Sequence, residues 1–237
     1  MNNFKLVNQA GQIDLKLAYR ARTPKRADLW ADLNLNQVEI KDLLDIYPVI
    51  DTLLPMTKSI EGLIDCHIQM STRLDSAMNI LLPQTIADCR VKGKNLVLLD
   101  GETFAKIAQT LMFKNKARNL VDSISLSLVV KNNAIEIFPM IVNIDRYKLA
   151  VGGIQNLDMT FEYHITVLQS PLPFKLGIDI KGDIDNFKFK VVKPRYKNVE
   201  KPAISKEFTD RTINVQREVQ RLIQYEFEQI IGTPRQE

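Results

Sequence analysis

The chain has 237 residues, 45% hydrophobic and 25% charged, with 32 basic and 28 acidic side chains. That is the make-up of a folded globular chain, long enough for one large or two small domains. A net charge of +4 is too weak to imply a nucleic-acid partner, and two cysteines exclude a small disulfide scaffold.

No run approaches the ~18–20 apolar residues of a membrane helix. The start, Met1-Asn2-Asn3-Phe4-Lys5-Leu6, lacks the charged and apolar regions of a signal peptide.

Ile13, Leu15, Leu17 and Tyr19 alternate with other residues and predict a strand. Arg20 to Arg26 is a basic connection broken by Pro24 and is expected to be a solvated loop. Leu29, Ala31, Leu33 and Leu35 predict the next strand. Trp30 falls on its other face and hints at a second contact surface. Leu43, Leu44, Tyr47, Ile50 and Leu54 are spaced three and four apart and predict a short helix, interrupted at Pro48 and ended by Pro55.

Ile60 to Met70 returns to strand spacing, and Leu74 to Leu82 is ambiguous, with Pro83 closing it. Thr85 to Leu99 predicts two strands joined near Lys92-Gly93-Lys94-Asn95. Cys66 and Cys89 both sit on apolar alternations, which predicts two buried free thiols. Asp100 to Thr103 is a turn signal, and Phe104, Ile107, Ala108 and Leu111 predict a second short helix.

From Ser123 to Val192 the sequence predicts one antiparallel meander, and the chain is organised around it. Ile124, Leu126, Leu128 and Val130 alternate, and Lys131-Asn132-Asn133 offers a turn. Ile135, Ile137, Met140, Val142 and Ile144 follow, then Leu149 and Val151. Gly152-Gly153 and Gln155-Asn156 are expected to loosen the chain. Leu157, Met159, Phe161, Tyr163, Ile165 and Val167 form the longest alternation.

After the Ser170-Pro171-Leu172-Pro173 break, Leu176, Ile178 and Ile180 predict a strand, and Phe187, Phe189 and Val191 run back from a turn at Asp185-Asn186. Pro194 to Pro202 is a polar linker. Phe208, Val215, Val219, Leu222, Ile223 and Ile230 then predict a long amphipathic helix, stopped at Gly232 and Pro234, whose usual meaning is a lid on the sheet, with a free interaction helix as the alternative.

The residues show no metal-ligand spacing, phosphate loop or nucleophile elbow. His67 and His164 are isolated in strand patterns and are expected to face solvent or satisfy a local hydrogen bond. Asp179 and Asp183 belong to the expected wet face. No catalytic residue, metal or cofactor is assigned.

The order of segments resembles a known family. Leu81-Leu82-Pro83, Lys92 to Leu96, Asp100-Gly101 and the helix Phe104–Leu111 look like the C-terminal region of AsmA-like proteins. So do Tyr147, Val151-Gly152-Gly153, Leu157-Asp158, Phe161, Tyr163, the proline break at Ser170 to Pro173, and Gly177 through Gly182. The likeness spans about Gly11 to Asn198. It implies a long, curved antiparallel meander of the AsmA/TamB type, mainly β, with short covering helices.

The resemblance divides the chain into residues 1–198, an AsmA-like C-terminal β-rich domain, and residues 199–237, a linker and helix that do not map onto the family. It also implies a periplasmic module of the Gram-negative envelope, tethered to the inner membrane by an N-terminal anchor that this chain lacks. Such modules handle phospholipids between inner and outer membrane and serve outer-membrane biogenesis. Possible partners are envelope proteins and phospholipid acyl chains, with no nucleic acid.

The expected lipid-groove residues are Leu126, Leu128, Val130, Leu157, Met159, Phe161, Tyr163, Ile165, Ile178 and Ile180. The main alternative is an envelope scaffold or assembly factor with a closed core and no lipid cargo. A third is an enzyme with an unrecognised site.

Overall fold

The computed structural model describes residues 2–8, 11–23, 25–46, 50, 57, 60–99, 118–144, 146–170, 175–183, 186–199 and 206–232. The fold is mainly β. One twelve-stranded sheet contains β1 (Asn2–Asn8), β2 (Gly11–Thr23), β3 (Arg26–Glu39), β4 (Ile60–Glu61), β5 (Leu63–Leu74) and β6 (Ile86–Leu99). It continues through β7 (Arg118–Lys131), β8 (Ala134–Ile144), β9 (Tyr147–Asn156), β10 (Phe161–Gln169), β11 (Gly177–Gly182) and β12 (Phe187–Val192). Two α-helices are described, α1 (Ile40–Ile46) and α2 (Lys206–Ile231), with a 3-10 turn at Leu82–Gln84.

Every strand pairing is antiparallel. The spatial order follows the chain, except that the two-residue β4 pairs with β6. Consecutive antiparallel strands need only short connections, which gives this simple order. Asn132 and Asn133 both take positive φ, 54° and 61°, and close the β7–β8 hairpin as a primed turn. The described part of the first predicted helix is α1, which starts earlier than Leu43. The predicted helix Phe104–Leu111 lies outside the described residues.

Three expectations are corrected. Lys92 to Asn95 is not a turn, because β6 runs unbroken through it. Asn95 takes φ 53°, and at this point β6 changes neighbour from β5, which ends at Ile64↔Gly93, to β4, at Ile60↔Leu98. Gly93 serves packing: a Cβ there would stand 2.8 Å from Leu96 Cδ1.

Gly152-Gly153 does not loosen the chain, since both lie inside β9. A Cβ on Gly153 would meet Glu162 O at 2.3 Å and Tyr163 Cα at 2.7 Å, so the glycine permits close approach of β10.

Leu157 and Met159 do not belong to the β10 alternation. They sit in the turn between β9 and β10. Asp158 Oδ1 accepts the Thr160 N–H at 3.0 Å, Met159 takes φ 70°, and the Asn156 N–H closes the turn on Thr160 O at 2.8 Å. The side-chain acceptor of Asp158 favours this turn over a strand.

The sheet has two unlike faces. Helix α2 crosses one of them over β2, β3, β5, β6 and β7. Its stripe of Val215, Val219, Ile223, Phe227 and Ile230 packs on Ala18, Trp30, Ile86, Val129 and Phe138. The i, i+4 spacing places these side chains on one side of the helix. Trp30 is the second contact surface that its alternation suggested, with its ring 4.5 Å from that of Phe227. Fully burying such side chains, as at Val219, Ile223 and Ile230, stabilises the contact by about 1.5–3 kcal/mol each, so α2 is an integral layer of the fold.

Candidate functional site: an apolar face across eleven strands

The opposite face is apolar from edge to edge. The strand registers align Phe4 with Leu15, Leu15 with Leu33, Leu33 with Ile68, and Ile68 with Cys89. They continue from Cys89 to Leu128, then to Ile137 and Gly153. The row ends through Tyr163, Ile180 and Phe189. One residue from every strand except β4 thus falls in a single line. Ten interstrand steps of ~4.8 Å make it about 48 Å long.

The line is covered unevenly. Cys89, Leu128 and Ile180 are buried, whereas Leu15, Leu33, Ile68, Ile137, Tyr163 and Phe189 are partly buried. Phe4, on the β1 edge, is 55% exposed. Leu43 and Leu44 of α1 pack on this face.

Eight of the ten sequence-predicted groove residues lie on it. Leu126 and Val130 are partly buried and Leu128 is buried on β7; Phe161 and Tyr163 are partly buried and Ile165 is buried on β10. Ile178 and Ile180 are buried on β11, directly opposite Ile165 and Tyr163. Two strands, β8 and β9, separate the β7 residues from the rest. Leu157 and Met159 are the two that the structure removes.

Residues not assigned to the groove from sequence complete the face: Ile68, Ile137, Met140, Val151, Phe187 and Phe189. Their strand alternation was visible, but the in-phase pairing of distant strands was not. At the β12 end the rings form a cluster, Phe161–Tyr163 at 5.4 Å, Phe161–Phe187 at 6.2 Å and Phe187–Phe189 at 5.3 Å between centroids.

Polar groups on this face are satisfied internally. Tyr163 Oη donates to Gln155 Oε1 at 3.0 Å, and Gln155 Nε2 donates to the carbonyls of Asn156 and Thr160. Burial pushes the Tyr163 phenol up to about 12, so it stays neutral. Cys66 and Cys89 are buried free thiols with Sγ atoms 3.6 Å apart.

The other polar concentration lies on the helix-bearing side. Imidazole Nδ1 of His164 is 2.7 Å from Asp179 Oδ1, and Nε2 is 3.0 Å from Thr166 Oγ1. Arg195 Nη2 reaches Asp179 Oδ2 at 2.5 Å. The backbone N–H groups of Arg195 and Tyr196 donate to His164 Nε2 and Thr166 Oγ1.

One expectation fails here: Asp179, at 7% exposed, is not on a wet surface, whereas His164, 1% exposed, meets the expected alternative of a local hydrogen bond through Thr166. The segment around Arg195 covers them, a contact between residues thirty positions apart that alternation does not reveal. The Asp–His–Thr order has the connectivity of a nucleophilic triad, but Thr166 is 0% exposed and its oxygen already accepts an N–H. No substrate carbonyl reaches that oxygen in this conformation. The cluster is a clasp holding the Pro194–Val199 segment to β10 and β11.

His67 makes the local contact that was expected, 3.1 Å from Asp32 Oδ1. Among the described residues, no group of three or more His, Cys, Asp or Glu side chains could hold a metal ion, and no helix is long and apolar enough to cross a membrane. No protein-family model, curated protein or solved structure matches the chain.

Proposed function

We propose that this chain is a non-enzymatic lipid-handling module whose apolar sheet face receives phospholipid acyl chains. The observation that carries the reading is the in-phase apolar row from Phe4 to Phe189, only partly buried along much of its length. Each CH₂ moved from water onto such a surface gains up to ~0.8 kcal/mol. A row of about 48 Å exceeds the ~30 Å hydrocarbon thickness of a whole bilayer, so one chain has ample length to lie along it. Ester groups and headgroups stay in water, and no catalytic group is required.

The sequence likeness to AsmA-like proteins supports the same reading. On that likeness, the proposal assigns the module to the periplasm of a Gram-negative envelope, where it serves phospholipid movement towards the outer membrane. The test is native mass spectrometry of the purified protein. The proposal expects co-purified phospholipid released by mild activation.

One observation favours the scaffold alternative. Towards one side of the same face, Val121, Ile144, Tyr147, Leu149, Val167 and Ile178 are all buried in one cluster with Ile40 of α1. If the whole face closes in this way in solution, no lipid will co-purify.

A further inference from the structure

The net charge of the chain is concentrated in one place. Residues 175–199 contain seven basic and three acidic residues, which leaves twenty-five of each in the rest of the chain. This segment forms β11, the edge strand β12 and the clasped segment after it. Asp179 already neutralises Arg195, and Glu162 pairs with Lys181. Lys188, Lys190, Lys193 and Lys197 are exposed and have no carboxylate partner among the described residues.

Lys188 stands directly opposite Lys181 in the β11–β12 register. Like charges in that position cost stability. A lysine on an edge strand can simply block strand addition. That role calls for an isolated charge and does not require a facing lysine or a further one, Lys193, just beyond the strand. An anion resting on this edge would neutralise the group.

The reverse side of β12 is as apolar as its front is basic. Phe187 and Phe189 alternate with the lysines and join the ring cluster, and Val191 at 64% is the most exposed large apolar side chain described. We infer that the β12 edge docks on a bilayer surface rich in anionic phospholipid, with Lys188, Lys190 and Lys193 at the phosphates and Val191 entering the interface. A bilayer met edge-on engages both sides of the strand at once. A nucleic acid fits less well, because bases stacking on the rings would lie on the far side of the strand from the cations.

This inference deepens the lipid-handling proposal by assigning the membrane that the apolar row faces. The test is co-sedimentation of the 237-residue chain with vesicles of phosphatidylcholine alone or mixed with phosphatidylglycerol. Binding is expected only with phosphatidylglycerol and is expected to fall at high salt. Lys188→Gln and Lys190→Gln should each weaken it about five-fold, the equivalent of ~1 kcal/mol per cation. Lys92→Gln, on distant β6, should leave it unchanged. Val191→Ser should also weaken it, at constant charge and unchanged melting temperature.

Equal binding to both vesicle types, equal loss from Lys92→Gln and Lys188→Gln, or displacement of the vesicles by duplex DNA at matching concentration would each overturn the inference. Co-purified phospholipid without vesicle binding overturns the docking edge and leaves the groove standing. Vesicle binding without co-purified lipid supports the docking edge and removes the groove.

Discussion

His164 donates its Nδ1 hydrogen to Asp179 and accepts the Arg195 backbone N–H at Nε2, 3.1 Å away. An N–H aimed at Nε2 requires a lone pair there, so this geometry selects one neutral tautomer. Protonation would set two N–H groups against each other. Burial is the larger influence and lowers the His164 pKa from its usual 6.5; the Arg195 charge acts in the same direction, and the Asp179 carboxylate opposes both.

The pH dependence follows. The imidazole takes up a proton more readily in the unfolded chain than in the folded one. Its contribution to stability is full above about pH 6.5 and is lost as pH falls through the lower folded value. Thermal melts should therefore show the melting temperature dropping on acidification below that point. His164→Gln should cost about 2 kcal/mol at neutral pH and flatten this part of the profile. A profile unchanged by the substitution would contradict the clasp.

Phe227→Ala should loosen α2 from the sheet. Truncating a ring packed 4.5 Å from Trp30 is expected to cost about 3 kcal/mol. Trp30 is the single tryptophan of the chain, so its emission reports this contact alone. A red shift in the variant, with strand circular dichroism retained, is the expected result.

Cys66 and Cys89 should resist thiol reagents in the native protein and titrate as two thiols after denaturation. They are 6% and 9% exposed, and a separation of 3.6 Å is far beyond the ~2.05 Å of a disulfide. Rapid native labelling, or a mass lower by two hydrogens, would contradict this state.

Gly153→Ala should destabilise the protein by about 2 kcal/mol, because the new methyl enters the space of Glu162 O and Tyr163. Ile154→Ala, one residue on and facing the other way, removes a side chain already 40% exposed and should cost less than 1 kcal/mol, about the scale of a surface change. Paired melts of the two variants check the assignment of β9 faces.

Much of the fold was legible in the sequence because period-two alternation is local. Ile124 to Val130, the Asn132-Asn133 turn and the Phe187 to Val191 return all appear where the pattern puts them. The errors have two causes. Gly93, Gly152 and Gly153 looked like breaks, yet they make room for Leu96 of the same strand and for Pro139 and Tyr163 of neighbouring strands. Leu157 and Met159 kept the apolar period by chance, while Asp158 between them held the turn.

The apolar face was partly legible for the same reason. Each strand showed its own apolar side. That these sides align across eleven strands depends on register, and a one-residue slip in any strand would break the row. The clasp at His164 was not legible, since His164, Asp179 and Arg195 come from three separate segments.

The most direct test of the lipid face compares two adjacent residues of β7. Leu126 lies on the apolar face opposite Val91, and Ser127 lies on the other face opposite Arg90. A photoreactive phenylalanine analogue is placed at each position in turn, the protein is irradiated in cells, and adducts are read by mass spectrometry. The account predicts a phospholipid adduct at position 126 and none at 127. Equal adducts at both positions, or none at 126 in a folded protein, would contradict it.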